Sequence, residues 1–318
     1  MKKLNKFIFM FLVCITFLFI FSTVSSAATL NIRNKLKSGS KGEQVKLLQT
    51  QLNSVMNAGL ATDGKFGAAT EQAVKKFQKK YGLTVDGIAG ISTCSKLNVE
   101  YLSGNNYVTI YVDPSVNKGQ LNVRAKADVK STLLGTIKSG RSVIYYGTKI
   151  TNGTTWYKIK YNGKYAYISG SYAYETCVLL DISEQVLKFY KDGKLKLEAP
   201  VITGNKYQTT SMNPHPTPTG KFLFQYVVDD IICRQSPKVL RGSNDDGTRY
   251  NKEVSYWMNF IAYRGIGFHD ASWRSSAQFY NVDTYLKNGS HGCVNMRTED
   301  AKVLYELLPD KTNILVIE

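Results

Sequence analysis

Near the C-terminus the chain reads Ser290-His291-Gly292-Cys293-Val294-Asn295, with a second histidine, His269, upstream. A thiol becomes a strong nucleophile once it loses its proton, and an imidazole within reach is a common acceptor. Histidine is scarce: the 318 residues hold only His215, His269 and His291, so two of them near one cysteine point to covalent catalysis by Cys293. His269 is the better general base, because it can approach from another strand, and His291 is assigned to shaping the site. Gly292 can take torsions closed to other residues, so the amides of Gly292 and Cys293 could converge on one point and hold an oxyanion during acyl transfer. A metal centre is disfavoured, since His-x-Cys is not a usual zinc pair and no carboxylate completes it at a recognisable interval. No cofactor is implied. His215 lies in Asn213-Pro214-His215-Pro216-Thr217-Pro218, a rigid loop where an exposed histidine is the default and substrate contact stays open.

These groups need a scaffold. Residues 178–182, 186–190 and 195–202 read as strands, with Asp192-Gly193 as a hairpin turn. Thr298 can cap a helix over 299–308, Glu299 and Asp300 favour its positive end, and Pro309 stops it. Residues 313–317 form a last strand. The stretch 225–268 is long, tyrosine-rich and charged, and reads as a lid over the site. Mostly β with a helix or two is the class expected for residues 176–318.

The N-terminal half is organised differently. Between 35 and 98, Val45, Leu48 and Leu52 share one helical face, and Ala73, Val74, Phe77 and Tyr81 share another. Asp63-Gly64-Lys65-Phe66-Gly67-Ala68-Ala69-Thr70 recurs as Asp86-Gly87-Ile88-Ala89-Gly90-Ile91-Ser92-Thr93. Each copy is a tight turn followed by a helix start. Residues 101–106 read as a linker. Residues 107–175 switch to period two, with Asn162-Gly163 as a hairpin signal, and read as a small antiparallel barrel.

Three resemblances follow from these motifs. The repeated turn, with Phe77-Gln78 between its copies, resembles the three-helix type of peptidoglycan-binding domain. Leu121-Asn122-Val123-Arg124, the Trp156 strand and Gly163-Lys164-Tyr165-Ala166-Tyr167-Ile168 resemble the bacterial Src-homology-3-like domains of wall enzymes. An upstream histidine followed by Ser-His-Gly-Cys-hydrophobic-Asn resembles the L,D-transpeptidase catalytic domain. Thr217-Pro218-Thr219-Gly220-Lys221-Phe222, Thr203-Gly204 and Trp273, four residues after His269, fit the same family. One departure is the gap from His269 to Ser290, residues 270–289, which is longer than the family's. The resemblance implies that Cys293 attacks the third residue of a tetrapeptide stem and expels the terminal D-alanine. An amine of a neighbouring stem would then resolve the thioester as a 3-3 cross-link. It implies that the backbone carbonyl of Asp270 orients His269, that Ser290, Asn295, Trp273, Tyr256 and Thr219 meet the substrate, and that carbapenems acylate the thiol. Trp257 and Asn259 are placed with Tyr256 on the lid side.

The expected architecture is therefore mainly β and multi-domain: a leader over 1–27, a three-helix domain over 35–98, a small antiparallel β-barrel over 107–175 and a β-rich catalytic domain over 176–318. The leader has a basic start at Lys2, Lys3 and Lys6, an apolar run, and Ser25-Ser26-Ala27 as a cleavage site, which predicts a secreted, wall-associated protein with no membrane span after cleavage; an uncleaved signal anchor is the rival reading, against which the short apolar run counts. Loss of those three lysines takes the formal charge from +17 to +14. Such a basic exported chain suits peptidoglycan and anionic wall polymers better than nucleic acid. Cys94, Cys177 and Cys233 read as buried small hydrophobes. Two other readings stand beside cross-linking: an L,D-carboxypeptidase or endopeptidase with water as acceptor, and a non-catalytic wall-binding protein. A papain-like hydrolase is disfavoured, because its cysteine precedes its histidine.

Overall fold

The computed structural model describes residues 28–207, 209–210, 213–214, 216–243 and 247–318, so the leader and His215 lie outside the described residues. Among the described residues no helix is long and apolar enough to cross a membrane.

Three helices open the chain: α1 (Glu43–Met56), α2 (Ala68–Lys80) and α3 (Ile91–Leu102). Val45, Leu48, Leu52, Val74, Phe77 and Leu97 are buried between them. The repeated octapeptide is one device used twice. Gln49 of α1 gives Nε2 to the Asp63 carboxylate (2.9 Å) and the Lys65 carbonyl (3.0 Å), and its Oε1 accepts from the Gly64 amide (2.9 Å). Gln78 of α2 does the same for the next copy: Nε2 to Asp86 (2.7 Å) and the Ile88 carbonyl (3.0 Å), Oε1 from the Gly87 amide (2.9 Å). Gly64 and Gly87 sit at φ 70 and 76, in the left-handed region that favours glycine. The glutamine of each preceding helix thus locks the turn that starts the next. Helix α3 runs to Leu102 and so absorbs the first two residues read as linker. Leu102 is buried against Tyr107, Leu179 and Leu195, and that burial carries the helix on.

Seven strands follow: β1 (Tyr107–Ile110), β2 (Gln120–Arg124), β3 (Leu133–Lys138), β4 (Ser142–Thr151), β5 (Thr154–Tyr161), β6 (Lys164–Ser169) and β7 (Ala173–Tyr174). They join in the order β3-β2-β6-β5-β4-β1-β7, every pair antiparallel. Val123, Ile159, Ala166 and Ile168 fill the inner face. Asn162 and Gly163 take φ 50 and 75, the paired left-handed torsions that match strand twist in a two-residue hairpin.

The C-terminal part holds two main sheets. The first contains β8 (Cys177–Asp181), β9 (Val186–Lys191) and β10 (Lys194–Pro200). After a short ribbon of β11 (Thr209–Thr210) and β12 (Asn213–Pro214), it gains β13 (Gly220–Phe224). Next come the small hairpin β14 (Val227–Val228) and β15 (Ile231–Ile232), then β16 (Arg234–Gln235). A longer hairpin, β17 (Lys238–Ser243) and β18 (Arg249–Val254), precedes β19 (Trp257–Ile261) and β20 (Ile266–Asp270). Two short helices, α4 (Ser276–Tyr280) and α5 (Thr284–Asn288), lead to β21 (Val294–Met296), α6 (Thr298–Leu307) and β22 (Thr312–Ile317). The first sheet runs β10-β9-β8-β22-β13 and the second β16-β19-β20-β21. Both share one core with α6, built on Phe189, Phe224, Phe268 and Leu304. Full burial of each such side chain contributes about 1.5–3 kcal/mol.

Two expectations are corrected here. Thr298 lies inside α6, not at its cap, which is Arg297. A guanidinium–carboxylate pair holds the helix start instead: Arg297 meets both Asp300 oxygens at 2.7 and 2.8 Å. The stretch 225–268 is also not a lid throughout. Its β19 and the start of β20 are core strands, and only the β17–β18 hairpin reaches the groove described below.

The helical module is seated on the first sheet. Ser95 donates to the Glu198 carbonyl, and Asn98 Nδ2 reaches the Glu198 carboxylate at 2.7 Å, whose other oxygen meets Lys188 at 3.1 Å. Arg297 Nη1 donates to Ser92 Oγ at 2.9 Å, and Ile91 enters the core shared by the two sheets. These contacts are buried or half-buried and polar partners are matched, so the seat is specific as well as tight.

Candidate active site

The site grows out of one parallel pair. Strand β21 lies beside β20 with Phe268 opposite Val294 and His269 opposite Asn295. That register carries the histidine to the strand that begins just after Cys293. On the other side of β20, antiparallel β19 puts Trp257 opposite His269. The His269 ring, 2% exposed, sits between Trp257 and Trp273, each 5.8 Å away centroid to centroid.

Hydrogen bonds fix the state of that ring. Nδ1 lies 2.8 Å from the Asp270 carbonyl, which can only accept, so Nδ1 carries the proton. Nε2 lies 3.2 Å from Asn295 Nδ2, and the Asn295 Oδ1 accepts from Arg274 Nε at 2.6 Å. The arginine therefore sets which end of the amide faces the ring. A lone pair on Nε2 is the partner that an amide N–H requires, so the imidazole is neutral with Nε2 basic. Burial lowers the His269 pKa; the Asp270 carbonyl raises it in part and the Arg274 charge lowers it further.

Cys293 is half-buried and free, as are the buried Cys94, Cys177 and Cys233. Its Sγ points to the Gly265 carbonyl at 3.6 Å. Burial pushes the thiol up to about 11, with the Gly267 backbone pulling the other way. Gly267 has no room for a Cβ, which would stand 2.6 Å from the Met258 carbonyl oxygen, so this close approach of β19 and β20 needs glycine. An imidazole that has already made the thiol anionic is thus not the resting arrangement: thiol and ring are both neutral, each with another partner. Attack needs Sγ to turn from Gly265 toward Nε2 as Asn295 gives way. Alkylation of Cys293 by iodoacetamide is accordingly expected to be slow at neutral pH and to climb roughly tenfold per pH unit toward pH about 11, followed by intact mass. A plateau already present at pH 7 would contradict the neutral thiol.

The nucleophile loop is braced from below. Gly292 takes φ 111, the left-handed torsion expected of it. Its carbonyl accepts from the Thr217 hydroxyl at 2.8 Å, and that hydroxyl's Oγ1 in turn accepts from the Gly204 amide at 2.9 Å. The Ser290 backbone pairs with Thr203 and Asn205, and the Ser290 hydroxyl donates to the Cys293 carbonyl. The Gly292 amide donates to Ser290 Oγ at 3.1 Å, so it is engaged within the loop and not open to an oxyanion as expected. Among the described residues the Cys293 amide has no such partner.

Above the loop lies a groove of about 490 Å³ that contains Cys293, His269, Ser290, His291, Asn295, Trp273 and Arg274, roofed by Leu240 and residues 249–252 of the hairpin. Tyr250 stacks on His291 (5.9 Å, 24°), which gives that histidine a wall-forming place. Trp273, 44% exposed, lines the groove with the Lys252 ammonium 5.9 Å from its ring centroid. Two residues expected to meet substrate do not line it. Tyr256 packs on Tyr305 at 5.4 Å, and its amide donates to the Asp270 carboxylate at 2.8 Å. Tyr256 sits just before β19, and Trp257, the first residue of that strand, is the one placed opposite His269. Thr219 is exposed, and Thr217, two residues earlier, makes the contact. Asn259 is buried in β19, away from the hairpin. Arg274 and Tyr250 were not singled out in the sequence; each depends on a long-range contact that no local spacing announces.

Comparison with known proteins finds three domain matches. Residues 175–316 match the L,D-transpeptidase catalytic domain, residues 41–97 the peptidoglycan binding domain and residues 119–173 the bacterial SH3 domain. The catalytic domain of the Enterococcus faecium L,D-transpeptidase is 34% identical over 45% of this chain and 96% of its own length (TM-score 0.36). The chain belongs to the L,D-transpeptidase family. The same E. faecium domain acylated by ertapenem is 31% identical over 45% of this chain and 97% of its own length (TM-score 0.35). The spore cortex-lytic enzyme of Oceanobacillus iheyensis is 31% identical over 119 residues, 37% of this chain and 42% of that protein. The chain spans between 17% and 63% of the length of these curated relatives. Its two N-terminal domains match types described as a peptidoglycan binding domain and a bacterial SH3 domain, beside the L,D-transpeptidase catalytic domain.

Proposed function

We propose that this protein is a secreted cysteine L,D-transpeptidase that forms 3-3 cross-links in peptidoglycan. The observation that carries the reading is that a neutral, Nδ1-protonated His269 and Cys293 line one open groove together. In the first half-reaction Cys293 Sγ attacks the carbonyl of the third stem residue while Nε2 of His269 takes the thiol proton. A carbon–sulfur bond forms, the amide carbon–nitrogen bond breaks, and the imidazolium returns the proton to the departing D-alanine amine. The Asp270 carbonyl holds the ring through both transfers, and the Cys293 amide is the donor placed for the developing oxyanion. In the second half-reaction an amine of a neighbouring stem attacks the thioester, His269 takes its proton, and the thiol is restored. The ertapenem adduct of the E. faecium relative supports the same acylation step here. The two N-terminal domains would hold the protein on its insoluble substrate and raise the local concentration of stems.

Incubation with a disaccharide-tetrapeptide and mass analysis tests the proposal. A dimer joined between third residues is the expected product. A tripeptide monomer alone would mean that water is the acceptor and that the protein trims stems, the direction in which the cortex-lytic relative's name points. No product at all would overturn the enzymatic reading.

A further inference from the structure

The charges that the described residues bring to the groove are of one sign. Arg249, Lys252 and Arg274 line it, and among the described residues no aspartate or glutamate does. Arg274 is the unusual one. It is half-buried, and burial alone pulls its pKa down to about 10. Its Nε and Nη1 go to neutral acceptors, the Asn295 Oδ1 at 2.6 Å and the Asn288 carbonyl at 2.8 Å. Among the described residues no carboxylate comes within ion-pair distance of it, and Nη2 has no hydrogen-bond partner. Arg297, also next to the nucleophile loop, shows the contrast: it grips Asp300 through two bonds, and with that charge beside it its pKa is raised. A partly desolvated guanidinium without a counter-ion is costly, and an arriving anion relieves the cost.

We infer that Arg274, with Lys252 and Arg249 on the hairpin above it, forms a carboxylate-binding subsite beside Cys293 that selects stems carrying a free carboxylate. The inference rests on the proposed reading of the groove and names what its substrate must bear. A planar guanidinium edge fits a carboxylate better than an amide, which brings no charge and turns one acceptor into a donor. Two carboxylates share this chemistry: the C-terminal carboxylate of the leaving residue and one carried elsewhere on the stem. Amidation of either would blunt the contact.

The test uses the full chain as Cys293→Ala, so that binding is read without turnover. Three disaccharide-tetrapeptides serve as probes in calorimetry: one with all carboxylates free, one amidated at the C-terminus and one amidated at the internal carboxylate. Adding Arg274→Gln is expected to weaken the free-acid ligand on the order of ten- to a hundred-fold. The same change leaves unaltered the ligand whose contacted carboxylate is already an amide, and that ligand identifies the source. Equal weakening of all three ligands would overturn the inference and leave Arg274 as a brace for Asn295 and His269. Should Arg274→Gln fail to fold, Arg274 itself decides: equal affinity for free and amidated ligands on the Cys293→Ala protein overturns the subsite. Carboxylate-dependent binding in a protein with no turnover would sink the proposed reaction and keep the subsite; turnover with carboxylate-indifferent binding would do the reverse.

Discussion

Replacing Cys293 with alanine is expected to remove every trace of turnover and the whole of the carbapenem adduct. The sulfur is the atom that bonds to the acyl carbon in the proposed reaction, and no other described thiol can stand in for it. Cys94 and Cys177 are fully buried, with burial pushing each up to about 12. Cys233 is buried too, and its Sγ is turned to the Ile231 carbonyl at 3.4 Å. The substitution costs little structure, because Cys293 is half-buried and the loop is held by Ser290, Thr203 and Thr217, not by the sulfur. Intact-mass spectrometry after exposure to ertapenem should show one adduct on the unaltered protein and none on Cys293→Ala. An adduct that persists would move the nucleophile elsewhere.

His269→Ala is expected to lower kcat/KM for acyl-enzyme formation on the order of 10²–10⁴-fold, the usual contribution of a positioned general base. The thiol itself, at about 11, supplies almost no thiolate at neutral pH, so the reaction depends on proton removal during attack. The pH profile gives the sign. A neutral imidazole is the active form, so activity falls as acid protonates it. Burial and the Arg274 charge hold that pKa below the ordinary imidazole value, which places the acid limb below the ordinary value as well. In His269→Ala the limb should vanish, leaving a slow rate that rises with alkali as thiolate appears. A variant with near-normal rate and an unmoved acid limb would remove His269 from the mechanism. The space left between Trp257 and Trp273 should also lower stability, measurable as a drop in Tm.

What could be read in the sequence was what is local. The Ser-His-Gly-Cys run marks the proposed nucleophile because its chemistry is written in adjacent residues. The Asp270 carbonyl could be placed because it is one peptide bond from the ring it orients. Asn162-Gly163 and Asp192-Gly193 announce hairpins because their torsions, φ 50 and 75, and 52 and 71, suit few other pairs. What failed was parity and reach. Tyr256 and Trp257 are neighbours, and only the start of β19 at Trp257 and its pairing with β20 show which one meets His269. Thr217 and Thr219 share a face on an extended segment, and only the place of Gly292 selects between them. The link from Arg274 through Asn295 to His269 joins residues separated by two short helices, and nothing along the chain spaces them. The stretch 225–268 looked uniform in composition, yet it divides between buried strands and an overhanging hairpin.

The seat of α3 on β10 has a consequence for scale. With Ser95 and Asn98 fastened to Glu198, and Ser92 to Arg297, the first domain is not a float on a string. Under the proposed function, a wall strand held by it would lie at one set separation and angle from the sulfur. The molecule is built like a calliper, whose two jaws would register sutures in the mesh at a preferred spacing and leave those outside its span untouched.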